Sequence, residues 1–168
     1  TRALGAAGYR TVYVSGADHF PYLGIEKYIN RSTFDEVTIL DDGSVFWKRD
    51  ERVFAALREL LARPDRPPLF VVAFLLTTHH DYPYPPEFER FVPVARHISL
   101  LGDLRTIRLE VLNRYRNAAA FVDDSIGRFV DELDLQRSVV IVTGDHGESI
   151  FDDGRLFHAS KLSDVQTE

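Results

Sequence analysis

Two stretches of this sequence crowd imidazoles and carboxylates together: His79-His80-Asp81 and Asp145-His146-Gly147-Glu148. Each follows an apolar run, residues 69–76 before the first and 139–142 before the second. Neutral imidazole and carboxylate suit Zn²⁺ or Mn²⁺, and carboxylate also suits Ca²⁺. Asp145 and His146 are therefore candidate metal ligands, and Gly144 and Gly147 would let backbone approach an ion or anion closely. His158 lies twelve residues past His146, so His79, His80, His146 and His158 could line one crevice. His19, in "GADHFPY", also follows a strand but reads first as an exposed loop histidine and only second as a further contributor. An Asp-His pair also suits an ordinary turn with a solvated imidazole, and spacing alone leaves both readings open. The chain has no cysteine, which excludes thiolate ligands and a thiol nucleophile. Ser149 and Ser160 lie outside any nucleophile-elbow pattern. His97 has no acid nearby and reads as structural, Trp47 as a packing anchor, and Asp123-Asp124 as a solvated helix face or cap contact.

Elements that could position these groups follow from periodicity. "ALGAAGYRTVYVSG" predicts a last helical turn, a glycine stop at Gly8 and a strand over 11–15. "YLGIEKYIN" predicts a short helix, and "VTIL" followed by "DDG" a short strand and a turn. From Asp50 a helix is expected, since Val53, Phe54, Leu57, Leu60 and Leu61 recur at helical spacing until "RPDRPP" stops them. "LFVVAFLL" is a continuous apolar run of the kind found in strands covered on both faces. A helix is expected from about 104 to 133, and "SVVIVTG" is expected to be a second buried strand. Alternation of this kind predicts an α/β fold: a mostly parallel sheet with helices on both faces. Ligands in such sheets gather beyond the carboxyl ends of the strands, which is where both histidine clusters would fall.

The chain has 168 residues, 45% of them hydrophobic, enough for one domain with a sizeable core. Its net charge of −6, with acids and bases interspersed, gives no footprint for nucleic acid. The longest apolar run is too short to cross a bilayer, and the first residues lack the apolar stretch of a signal peptide. A helical turn already under way at Thr1, with no methionine anywhere, leads us to expect part of a longer chain.

"VVIVTGDHGE", with a later glycine and histidine, resembles a carboxyl-terminal motif of the sulfatase-like branch of the alkaline phosphatase superfamily. "FLLTTHHDYPYPPEF" is similar to that family's histidine-containing loop, with Asp81-Tyr82 inserted relative to a shorter "HHPY" form. "YRNAAAFVDDSIGRFVDEL" resembles its long helix, and "AAGYRTVYVSGADHF" an earlier helix–strand step. The look is closest to lipoteichoic acid synthase-like and phosphoethanolamine transferase-like members, which are mostly membrane-anchored with the catalytic domain outside the cytoplasm.

The resemblance implies an incomplete alkaline phosphatase-like fold, with residues 1–168 forming the carboxyl-terminal portion of a single catalytic domain. It implies a divalent metal, Ca²⁺, Mn²⁺, Zn²⁺ or Mg²⁺, held in part by Asp145 and His146. His79 and His158 would be catalytic, and His79 or His80, with His158 and Lys161, would bind the substrate. The implied activity is hydrolysis of sulfate or phosphate esters carried on small molecules, lipids or glycans. The alternatives are a phosphoglycerol or phosphoethanolamine transferase, or a non-catalytic degenerate α/β domain. The family's nucleophile and first acidic ligand lie upstream of the helix that opens this chain. We therefore expect the chain alone to be inactive, with any membrane anchoring supplied by segments outside it.

Overall fold

A computed structural model describes residues 1–21, 25–27, 29–96, 104–151 and 156. The chain divides into two compact units, Thr1–Thr77 and Thr78–Glu168.

The first unit is built on a parallel sheet of β1 (Arg10–Ser15), β2 (Glu36–Ile39) and β3 (Leu69–Phe74), in the order β2-β1-β3. Val12 pairs with Glu36 on one side of β1, and Thr11 with Phe70 on the other. β1 is the middle strand, and Val12, Tyr13 and Val14 are buried accordingly. It is entered from helix α1 (Arg2–Ala6) through Gly8, whose φ of 85° is a left-handed value that a side chain disfavours. There the Tyr9 N–H donates to the Leu4 carbonyl and the Gly8 N–H to the Gly5 carbonyl, the paired bonds of a glycine-terminated helix.

Helix α2 (Phe46–Ala62) crosses from β2 to β3, starting four residues ahead of the expected Asp50. It buries Val53, Phe54, Leu57 and Leu60, each contributing about 1.5–3 kcal/mol of hydrophobic stabilisation. Asp50 lies on the same buried stripe. Its carboxylate accepts from the Leu76 N–H at 2.9 Å, the Thr77 N–H at 2.8 Å and the Thr77 hydroxyl at 2.6 Å. Burial pushes this carboxyl up to about 6, against the opposing pull of those hydrogen bonds. The neighbouring Arg49 donates to the Ser44 and Gly16 carbonyls and pairs with Asp41 at 2.7 Å. One turn of α2 thereby ties down the segments that follow all three strands. Gly16 is required here, since an added Cβ would sit 2.9 Å from the Arg49 Cβ.

The second unit is organised by helix α3 (Leu104–Asp131), close to the expected 104–133. Its core gathers Tyr82, Ala95, Val111, Ala118 and Ile150, with Tyr84, Ile107, Leu112, Tyr115 and Leu156 packed against it. Three polar side chains of α3 pin the irregular segment 81–96. Asn113 donates to the Pro93 carbonyl, Asn117 bonds residues 90 and 91, and Arg114 donates to the carbonyls of Asp81 and Ala95. Asp124, half-buried, forms an ion pair with Arg128 one helical turn on.

Residues 139–142, expected to be a second buried strand, join no ladder among the described residues. Val139 is 90% exposed and Ile141 83%. Apolarity and β-branching mark a segment able to form a buried strand, but burial also needs an adjoining strand edge, which no periodicity supplies.

Candidate functional site

Of the candidate site residues, His79, His80, Asp145 and His146 are described and all belong to the second unit. His158 and Lys161, together with His97 and Ser160, lie outside the described residues. His19 belongs to the first unit, its ring 4.2 Å from that of Phe74 and half-buried rather than fully exposed.

Local hydrogen bonds set the chemistry of two imidazoles. His146 Nδ1 lies 2.9 Å from the Gly147 carbonyl oxygen, which can only accept. Nδ1 therefore carries a proton, and in the neutral ring the lone pair is on Nε2. That Nε2 is 3.7 Å from Asp145 Oδ2, so a nitrogen lone pair and a carboxylate oxygen lie near one another at an exposed turn. Asp145 Oδ1 accepts the His146 N–H at 3.1 Å, which orients the carboxylate. His79 repeats the pattern: its Nδ1 is 3.0 Å from the His80 carbonyl oxygen, leaving the lone pair of the neutral ring on Nε2. The His79 and His80 rings are 4.4 Å apart, His79 half-buried and His80 exposed.

Both histidine segments are fastened to the same core. The Tyr82 N–H donates to the His79 carbonyl at 2.8 Å, closing a turn over 79–82. Tyr82 has a φ of 51°, a strained value for a bulky residue, and its side chain is completely buried. Its hydroxyl donates to Glu148 Oε1 at 3.1 Å. Burial, and after it the negative charge of Glu148, pushes the Tyr82 phenol well above its ordinary value, so the phenol stays protonated as the donor. Beyond Glu148, Ser149 and Ile150 are buried. Sequence reasoning noted Glu148 and Tyr82 without joining them, and no local pattern reports a contact across 66 positions.

Asp145 and His146 fit a divalent cation in donor type and in spacing. Two ligands bound to tetrahedral zinc at about 2.0–2.2 Å stand about 3.3–3.5 Å apart, near the 3.7 Å observed. Among the described residues no group of three or more His, Cys, Asp or Glu side chains is placed to hold a metal.

The fold is shared with solved domains. The C-terminal periplasmic domain of phosphoethanolamine transferase EptC from Campylobacter jejuni superposes with a TM-score of 0.65 at 16% identity, over 99% of this chain and 52% of that one. The C-terminal periplasmic domain of EcEptC from Escherichia coli, in complex with Zn, gives 0.60 at 19%, over 90% and 43%. The lipoteichoic acid synthase LtaP from Listeria monocytogenes gives 0.52 at 20%, over 79% and 31%. The chain thus spans about half or less of the length of these structures. A search of curated proteins found no match. The Sulfatase family model matches residues 1–168, and on that match the chain belongs to the Sulfatase family.

Proposed function

We propose that this chain is the carboxyl-terminal portion of a metal-dependent catalytic domain that cleaves or transfers sulfate or phosphate ester groups. The observation that carries the reading is the Asp145–His146 pair, with carboxylate and imidazole lone pairs 3.7 Å apart at an exposed turn. A divalent cation bound there would neutralise charge on the ester oxygens and activate a nucleophile. His79 keeps Nδ1 engaged with backbone, so a proton gained or given at its Nε2 would reach an ester or leaving-group oxygen. His158 is proposed to share that role, with His80 and Lys161 on the substrate's anionic group. Transfer of a phosphoethanolamine or phosphoglycerol group differs from hydrolysis only in the acceptor, and it is favoured by the transferases and synthase that share the fold. The periplasmic setting of two of those domains supports a location outside the cytoplasm.

Calorimetry with Zn²⁺ and Mn²⁺ is the first test, on the chain and on His146→Ala. We expect binding weaker than about 1 µM, because two protein ligands leave most of the shell to water, and its loss in the variant. In the complete protein, chromogenic sulfate and phosphate esters and a phosphoethanolamine lipid donor should lose turnover by about 100-fold or more in His146→Ala. Unchanged turnover in that variant would sink the metal reading. No turnover of any ester by the intact protein would favour a non-catalytic domain.

A further inference from the structure

The Tyr82–Glu148 hydrogen bond joins the two loops that carry the candidate site, and neither residue is assigned a role there by the family resemblance. Tyr82 is held from every side: its ring meets Tyr115 edge-on at 5.3 Å and packs in the core with Ala95, Val111, Ala118 and Ile150. Its backbone closes the turn that begins at His79, so the position of the ring fixes the position of that turn. Glu148 stands two residues after His146 and two before the buried Ile150. Arg114, on α3, holds the turn from outside through the Asp81 carbonyl. A buried phenol needs some acceptor, and a backbone carbonyl or water would satisfy it. The acceptor used is instead a side chain of the Asp145-His146 turn.

We propose that Tyr82 and Glu148 are positioning residues that hold the His79-His80 turn and the Asp145-His146 turn in one fixed register, so that an ion at one is sensed at the other. The inference rests on the site reading above. The two residues Asp81-Tyr82, which look inserted relative to a shorter loop, are then the anchor of this loop rather than slack in it. A tyrosine serves because its rigid ring carries the hydroxyl about 6 Å from the backbone with few rotatable bonds to order.

The test is magnetic resonance on the 168-residue chain, following amide and imidazole signals of His79, His80 and His146 as Zn²⁺ is added. In the parent, Zn²⁺ should shift His146 and also His79 and His80. Tyr82→Phe, which keeps the buried ring, and Glu148→Ala should retain the His146 response and lose the response at His79 and His80. Glu148→Gln, which keeps an acceptor oxygen, should restore it, a rescue that general loosening of the core would not give. Responses at His79 and His80 that persist in Tyr82→Phe would overturn the proposal. If Zn²⁺ shifts nothing in the parent, the metal reading fails, and amide exchange then decides the register alone. Exchange of the Tyr82 amide should quicken about tenfold in Glu148→Ala and not in Glu148→Gln, the factor a hydrogen bond of ordinary net strength controls. Equal exchange in all three proteins would overturn the coupling by itself.

Discussion

At Asn117 one amide side chain closes three hydrogen bonds. Its Oδ1 accepts the Arg90 and Phe91 N–H groups, both at 2.9 Å, and its Nδ2 donates to the Phe91 carbonyl at 3.0 Å. The residue is completely buried, so alanine would leave a cavity beside three unmatched backbone groups. Asn117→Ala should destabilise the protein by about 2–4 kcal/mol, read from the midpoint of urea unfolding. A loss below half a kcal/mol would mean that water replaces the amide. Asn117 and Asn113 sit among apolar helix positions, where a polar residue can be recognised as buried but its partner cannot be named. The same limit applied at the site. The residue types of Asp145, His146, His79 and His80 leave a metal site and a solvated turn both open, and their tautomers and the Tyr82 tether follow only from the fold.

Among the elements, α2 shows how a lone acid on an apolar stripe can be put to use. Asp50, Val53, Phe54 and Leu57 share one buried face, a spacing the sequence shows for the apolar members but which gives no partner for the acid. Its carboxyl ordinarily titrates near 3.8 and is pushed up to about 6 in the fold, chiefly by burial. Because the folded value is the higher one, the folded state holds its proton more tightly. The associated stability is fully present below about pH 4 and is lost as pH rises through 6, amounting to about 3 kcal/mol. Urea unfolding at pH 4 to 7 should show this slope in the parent and its absence in Asp50→Asn. An unchanged slope in the variant would assign the pH dependence elsewhere. The helices and the first three strands were legible because each carries its signal locally, as a repeat of apolar positions or a glycine stop. Residues 139–142 carried an equally strong local signal and form no strand here, since a parallel strand exists only where another lies beside it.

For the molecule as a whole, composition bounds the partners better than it names them. Among the described residues no helix is long and apolar enough to cross a membrane. The chain as it stands should turn over neither aryl sulfates nor phosphate esters, even with excess Zn²⁺ or Mn²⁺. Rate acceleration in such chemistry comes largely from a nucleophile activated and held against the bound ester. Ser149 is fully buried, and the exposed Thr143 donates its hydroxyl to the adjacent Gly144 carbonyl. Turnover that disappears in His146→Ala would reveal a nucleophile within these 168 residues and contradict this expectation.

The open run at 139–142 bears on how the protein behaves in a tube. Four β-branched residues without a charge, exposed and in no ladder among the described residues, make a short adhesive segment. Such segments seek partners through their backbones, and the like segment of another molecule offers a matching one. Light scattering should therefore climb with protein concentration and with added sulfate, which strengthens apolar association. Ile141→Lys, a change at an 83% exposed position, should flatten that rise while leaving the helical circular dichroism signal as it was. Storage at low concentration and low salt is the practical consequence.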